Sequence, residues 1–478
     1  MNRKVFLILL LLFFIIAFFI DTSYYNVYGA VMLLCIAFFV VFSFVIYKEK
    51  NVDISRVYFR PIHLFVISFV IVCFQQPIDI LLGYQKSYYM VGKISLMPEA
   101  VRVSLLGLIS FFLGYIFNNS KTNRFCIENH HVFMSTTIFK FFTSLMIILT
   151  IIFIPKNVLL GGYHTVELAE SNYNYFSSWS MMLCNAFFIQ YIINNKIKKK
   201  HNDWNIFNLI KNVGWWQNIN MFVYIILILS VGDRGPLLYL ATAYYIVYLS
   251  VTGKCPSKKT ILIGLIGGIL FAAFLGYSKS FRDNNTIFER LSTTWESNPY
   301  NEQDETIFTP TYELSTSYRC LTYSIEDIQL TGNYGYGMYQ LRYILSCIPF
   351  VNSIFDLSES SGNRITKLIQ ENITYGNGTT VIADFYLDGG LFAVIICMFL
   401  FGYSTKFFEL ILLSNRNITL FVYCFAFCFS MYYIYIPRSA LLSNLKGSLW
   451  VAIIIFVLQK VKGKKYNYLI EILYYNCS

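Results

Sequence analysis

The residues of this chain best suited to chemistry are three arginines and one aspartate, set among long apolar runs. Gly232-Asp233-Arg234-Gly235-Pro236 joins two hydrophobic stretches. An arginine at the centre of a membrane span costs about 2.5–3.5 kcal/mol. At the mouth of a water-filled cavity the penalty is much smaller, and such a residue is a functional candidate. The flanking glycines, Gly235 among them, allow close approach of a ligand, and Pro236 suits the start of a helix. The amides of that helix end would face the same space as Arg234 and make an anion site. The competing reading is a tight turn in which Asp233 and Arg234 pair at the lipid headgroups. Arg282, in Ser278-Lys-Ser-Phe-Arg-Asp283, and Arg438, in Ile436-Pro-Arg-Ser439, occupy comparable places. Each alone reads more readily as a headgroup contact. Together the three suggest a basic cavity, and guanidinium groups bind phosphate oxygens in bidentate fashion. A lipid-linked diphosphate is the kind of ligand such a cavity would hold. Asp384 lies in the apolar stretch that runs from Asn377 to Leu391. It could act as a base on a sugar hydroxyl, orient an acceptor, or pair structurally with a cavity arginine.

The elements that must position these residues are membrane helices. Of the 478 residues 56% are hydrophobic, 19% aromatic and only 13% charged, against roughly 25% charged in a soluble domain. Mean hydropathy is +0.54, so the excess apolar surface needs lipid to face. Runs near the ~20 residues that cross a bilayer predict about 12 transmembrane helices, at 5–20, 29–46, 61–78, 101–117, 138–154, 175–193, 216–231, 236–251, 261–277, 390–403, 418–436 and 441–458. The fold class expected is an all-α polytopic integral membrane protein. Nine spans lie in 1–277, a large extracytoplasmic helical loop fills 278–388, and three spans with a cytoplasmic tail fill 389–478.

Charge placement orients the spans. With the amino terminus inside, the cytoplasmic segments hold 22 of the 37 basic residues, and Lys/Arg excess in short loops marks the cytoplasmic side. Both termini are therefore expected inside. The 404–417 stretch, with Lys406, counts among these cytoplasmic segments. Loop 278–388 holds seven basic and fourteen acidic residues, so the protein reads as basic inside and acidic outside. The net +11 thus marks orientation, and nucleic-acid binding loses its support. Ile20-Asp21-Thr22 lacks the small-residue pattern of a cleavage site, which favours an uncleaved first helix. Within the loop, Leu314, Tyr318, Leu321, Ile325 and Ile328 recur at helical spacing, as do Met338, Leu341, Leu345 and Ile348. These predict amphipathic helices lying on or dipping into the membrane face. Eleven cysteines and five histidines are scattered without metal-ligand spacing, so no metal site is indicated. Cys320 and Cys347 could pair in an oxidising compartment, but two free thiols are the favoured reading.

At these residues the sequence resembles the Wzy-type polymerases of O-antigen and related oligosaccharide repeat units. The resemblance rests on Gly232–Pro236 between two spans, Arg282 after the next span, Tyr336-Gly-Met-Tyr339 followed by Ile348-Pro349, Thr380-Val-Ile-Ala-Asp-Phe-Tyr-Leu-Asp-Gly-Gly390, and the Arg438 turn. This ordered set covers roughly residues 215–450; the first half is similar only as a run of spans. Asp384 departs from the family pattern, which more often has glutamate there. The resemblance implies a GT-C-like membrane-embedded glycosyltransferase of the bacterial inner membrane, with an external loop capping a cavity. The substrate would be an undecaprenyl-diphosphate-linked oligosaccharide. The growing glycan would pass from its lipid carrier to the non-reducing end of a new unit, with no cofactor, nucleotide sugar or metal. A chain-length regulator and a flippase of the same pathway are the candidate partners. On this reading Arg234, Arg282 and Arg438 bind the diphosphate and stabilise the leaving group. Asp384 serves as base or positions the acceptor, Asp233 orients Arg234, and Tyr336 and Tyr339 contact sugars or anchor at the interface. An O-antigen ligase shares the topology, and the acceptor alone separates the two. A lipid-glycan transporter or flippase would expect mid-membrane charges and repeated halves, neither of which is evident.

Overall fold

A computed structural model describes residues 1–20, 22, 27–47, 60–84, 93–118, 135–155, 172–197, 205–231, 235–253, 256–257, 259–262, 264, 267, 311–348, 351, 360–369, 378–413 and 419–475. Asp233, Arg234, Arg282 and most of the ninth predicted span lie outside the described residues. Among the described residues every regular element is helical, with no strand. Lipid offers backbone N–H and C=O groups no partners, so a helix, which satisfies them internally, is the natural element for such apolar runs.

The helices are α1 (Arg3–Phe19), α2 (Val27–Ile46), α3 (Pro61–Leu81), α4 (Met97–Phe117), α5 (Thr137–Phe153), α6 (Tyr173–Ile197), α7 (Ile206–Val213), α8 (Trp215–Val231) and α9 (Gly235–Thr252). They continue with α10 (Arg319–Thr331), α11 (Met338–Leu345), α12 (Ser361–Ile369), α13 (Val381–Leu413), α14 (Leu420–Met431) and α15 (Leu445–Tyr475). Seven helical stretches among the described residues, rather than the twelve expected, are long and apolar enough to cross a membrane. Thr137–Phe153, Trp215–Leu229 and Leu420–Met431 are apolar but shorter. The last of these stops early because the chain turns at Tyr432–Tyr435 and meets Pro437.

The scaffold is the crossing of α4 with α13. Gly114 faces the carbonyl of Phe399, and Gly402 faces the carbonyl of Phe111, each so closely that a Cβ would overlap the oxygen. Small residues that let backbones touch are the usual way to pack helices in lipid, where burial of apolar area gives little driving force. Phe111 also packs on Phe65 of α3 and Phe401 of α13, with ring centroids 4.5 Å and 5.2 Å apart. Helices α1 and α2 also pack on α4, while α5, α6, α8 and α9 form a second group that meets α13 directly through α9 and by way of α14.

Helix α13 departs from expectation at both ends. The predicted span started at Gly390, and a break does fall there: Gly389 and Gly390 leave helical geometry, Gly390 with φ +64. A side chain at Gly390 would meet both that backbone angle and the Tyr334 ring. The eight residues before the break are also helical and buried, so the helix begins ahead of the predicted span. At the other end the helix runs on to Leu413, so Lys406 is not a loop charge but is buried in the bundle. There Glu409, 0% exposed, accepts from the Tyr115 hydroxyl at 2.7 Å and from the Ile62 N–H at 3.1 Å. Arg60 donates to the same hydroxyl at 2.7 Å and lies 3.7 Å from Glu409. The Lys406 ammonium stands 4.8 Å from the Tyr115 ring centroid. A buried carboxylate needs such partners, because desolvation of a lone charge is prohibitive.

The residues from Tyr312 to Thr331 cap the opposite end of α4 and α13. Tyr318 donates to the Met97 carbonyl at 3.0 Å, and Lys93 pairs with Glu326 at 3.0 Å. The predicted apolar face of α10 is confirmed as a face, but Tyr318, Leu321, Ile325 and Ile328 are buried against the bundle rather than turned to lipid. On α11 the outcome is the reverse: Met338 and Leu341, with Ile344 beside them and Ile348 just beyond the helix, remain exposed. Cys320 and Cys347 are both free thiols.

Candidate active site at the capped end

Two aspartates of α13 organise this end. Thr380 starts the helix, its hydroxyl accepting from the Ala383 N–H at 3.1 Å, as a threonine cap does. One turn on, Asp384 is 0% exposed and has both oxygens engaged: Gln340 donates to one at 2.6 Å and the Ser361 hydroxyl donates to the other. Another turn on, Asp388 accepts the backbone N–H groups of Tyr339 at 3.2 Å and Gln340 at 3.3 Å. These are first-turn amides of α11, a helix whose own N-cap, Gly337, has no side chain to offer. A carboxylate supplied from another helix therefore does the capping, and its charge suits the helix N-terminus. The Gly389–Gly390 break completes the joint, because the Leu387 carbonyl is free to accept from the Gly335 N–H at 2.8 Å.

Arginines surround this joint. Arg364 of α12 pairs with Asp327 of α10 at 2.5 Å and donates to the Tyr339 hydroxyl at 3.2 Å. Burial works against its charge, but Tyr339 and Asp327 outweigh that and hold its pKa above the ordinary guanidinium value. Arg342 lies over the Tyr339 ring, 5.9 Å from the centroid. Arg438 ends a short turn, Ile436–Arg438, that packs on α3 and α13. Arg319 and Arg438 both act on the Cys320 thiol. Burial pushes that thiol up to about 11 despite the two nearby positive charges. The start of α9 reaches the same neighbourhood, since Tyr239 packs edge-on against Tyr432 and Tyr435, 4.3 Å and 5.3 Å between centroids.

Of the residues singled out in the sequence, Asp384, Arg438, Tyr336, Tyr339 and Gly235 can thus be placed. Gly235 is buried at the first turn of α9. Tyr339 is 7% exposed, with Arg364 donating to its hydroxyl and Arg342 over its ring. Tyr336 is 81% exposed, at φ +50, with its ring edge-on to Tyr334. Asp384 is held by neutral donors, not by an arginine. The sequence reading missed Asp388, Gln340, Arg342, Arg364 and Ser361. It also missed Gln75, Gln76 and Asp79 of α3; the last two are fully buried, and Gln75 accepts from Thr311 of the cap. The run Gln75-Gln76-Pro77-Ile78-Asp79, polar at the end of an apolar span, was the available signal. No group of three or more metal-ligating side chains exists among the described residues.

An all-helical, multi-pass membrane protein with a polar, arginine-rich joint under a helical cap is the class that this fold and site define. The O-antigen polysaccharide polymerase Wzy family matches residues 3–467, nearly the whole chain, and the chain belongs to that family. No curated protein and no solved structure matches it. Membership makes the protein a glycosyltransferase-type polymerase of the membrane, and neither the ligase nor the transporter reading is favoured.

Proposed function

We propose that the protein elongates a surface polysaccharide by moving the growing glycan from undecaprenyl diphosphate to the non-reducing end of a newly delivered lipid-linked repeat unit. The capped end is the catalytic end and faces outward from the inner membrane, with both termini inside. Family membership over residues 3–467 carries this reading, and the gathering of arginines at the cap supports it. As the glycosidic bond breaks, negative charge grows on the departing diphosphate. Arginines fixed beforehand at that position lower the barrier without reorganising during the reaction. Arg234, Arg282 and Arg438 are assigned to the diphosphate, with Asp233 and Gly235 shaping the turn that presents Arg234. Asp384 is assigned to holding Gln340 and Ser361, and through them α11 and α12, in register. Tyr336 is the aromatic available to the glycan.

The test is reconstitution of the full chain in lipid with undecaprenyl-diphosphate repeat units, read as a ladder of longer glycans. Arg234→Ala is expected to abolish the ladder while the protein still accumulates in the membrane. An authentic substrate that gives no ladder with the wild-type protein would overturn the polymerase reading.

A further inference from the structure

Helix α11 carries two features that the assigned site does not use. The first is Arg342. Its Nε and Nη1 atoms are buried and have no hydrogen-bond partner, and no carboxylate forms an ion pair with it among the described residues. Its orientation is nevertheless fixed, because the Tyr339 ring beneath it is anchored by Arg364 at the hydroxyl and by Asp388 at the backbone. A guanidinium held in place with idle donors is costly for a protein to keep unless an anion completes it. Beside it, α11 packs against the Leu441–Asn444 turn, where the Asn444 Nδ2 is likewise buried and unpartnered. Unpaired donors on two packed elements are what an incoming oxyanion requires.

The second feature is the outer surface of the same helix. Met338, Leu341 and Ile344 lie at neighbouring positions on it, and Ile348 follows just beyond. All four are exposed. Arg342 stands four residues after Met338 and so is its neighbour on the helix, at the edge of the apolar stripe. A charged edge beside an apolar stripe suits an anionic headgroup joined to a hydrocarbon chain, and the polymerase reading makes a polyprenyl diphosphate that ligand.

We propose that Arg342 and the Met338–Leu341–Ile344–Ile348 face of α11 form the docking site for a single polyprenyl-diphosphate lipid. The guanidinium and the Asn444 amide take the diphosphate, and the chain lies along the stripe. The proposal rests on the polymerase reading for its choice of lipid, and it gives α11 the task of guiding the donor or acceptor lipid from the bilayer toward the joint. Asp388 then acts as a positioning residue, since it sets the start of the helix that bears Arg342.

The test uses the full chain in phosphatidylcholine nanodiscs. The probes are undecaprenyl diphosphate, geranyl diphosphate, inorganic pyrophosphate and phosphatidylglycerol. Arg342→Ala is expected to weaken both prenyl diphosphates by about tenfold or more, the scale of a lost charge-assisted pair, with Arg342→Lys partly restoring binding. Met338→Ser combined with Leu341→Ser is expected to weaken the long-chain lipid while leaving geranyl diphosphate and pyrophosphate unchanged. Monodisperse elution of each variant guards against misfolding, and the Lys variant keeps the test decisive if the Ala variant fails to fold. Unchanged binding by Arg342→Lys and Arg342→Ala overturns the proposal, as does an equal loss of phosphatidylglycerol, which would mark a general headgroup contact. Glycan ladders run in parallel separate the two readings. A wild-type protein that elongates while Arg342→Ala binds and elongates normally sinks the docking site alone. A wild-type protein that binds undecaprenyl diphosphate through Arg342 but never elongates sinks the polymerase reading alone.

Discussion

The two ends of α13 each bury a pair of ionisable residues, and they solve the problem differently. At the Lys406–Glu409 end the charges meet one another. Glu409 is bonded to Tyr115 and the Ile62 amide, Arg60 stands beside it, and Lys406 covers the tyrosine ring. At the Asp384–Asp388 end the carboxylates are held by an amide side chain, a hydroxyl and two backbone N–H groups. The surrounding arginines do not neutralise them. The first arrangement closes on itself and holds helices together. The second uses its acids to fix the backbone of neighbouring helices. One helix thus has an end tied by charge pairs and an end that positions its neighbours, the latter being the end proposed to work on substrate.

The comparison can be broken most severely at the crossing both ends share. Gly402→Leu should drive side-chain atoms into the Phe111 carbonyl, and the protein should fail to accumulate in the membrane, as read by immunoblot of the membrane fraction. Next in size is Glu409→Ala, which leaves Arg60 buried beside a vacancy; removing one partner of a buried pair costs about 3–5 kcal/mol. The melting temperature in detergent should fall sharply, while elongation per folded molecule is retained. Loss of elongation without loss of stability would show that the tied end also does chemistry. Asp388→Ala should do the opposite. Loss of a helix cap costs about 1–2 kcal/mol, a modest shift in melting temperature, yet elongation should drop far more because α11 loses its register. The smallest effect is expected for Arg364→Lys. It keeps a charge for Asp327 but loses the fork that also reaches Tyr339, at about 0.5–1.5 kcal/mol. Faster hydrogen exchange confined to α11 and α12 would confirm it, and exchange spread over the bundle would contradict it.

Much of the bundle was readable from apolar runs, because their length and composition answer directly to bilayer thickness. The ends of α13 were not readable in that way. A window seeking an uninterrupted apolar run stops at Gly390 and at Tyr403, since glycines and charges look like boundaries. The helix passes both, because partners from other parts of the chain satisfy Asp384, Asp388, Lys406 and Glu409. The α10 and α11 periodicities were both legible, but periodicity cannot say which neighbour a face meets; one face is buried by the bundle and the other is open. That Tyr339 is buried between Arg364 and Arg342 could not be read from its place in the chain, and Arg342 gave no local signal at all.

The sequence by itself determined that the chain lives in a membrane and that it is helical. Those properties follow from the chemistry of single residues and their near neighbours in the chain. Tertiary structure alone decided which charges satisfy one another and which are held by neutral donors. Pairing of buried groups depends on contacts between residues as far apart as Tyr115 and Glu409 or Tyr339 and Asp388. Only the packing of α4, α11 and α13 brings those partners within hydrogen-bond distance.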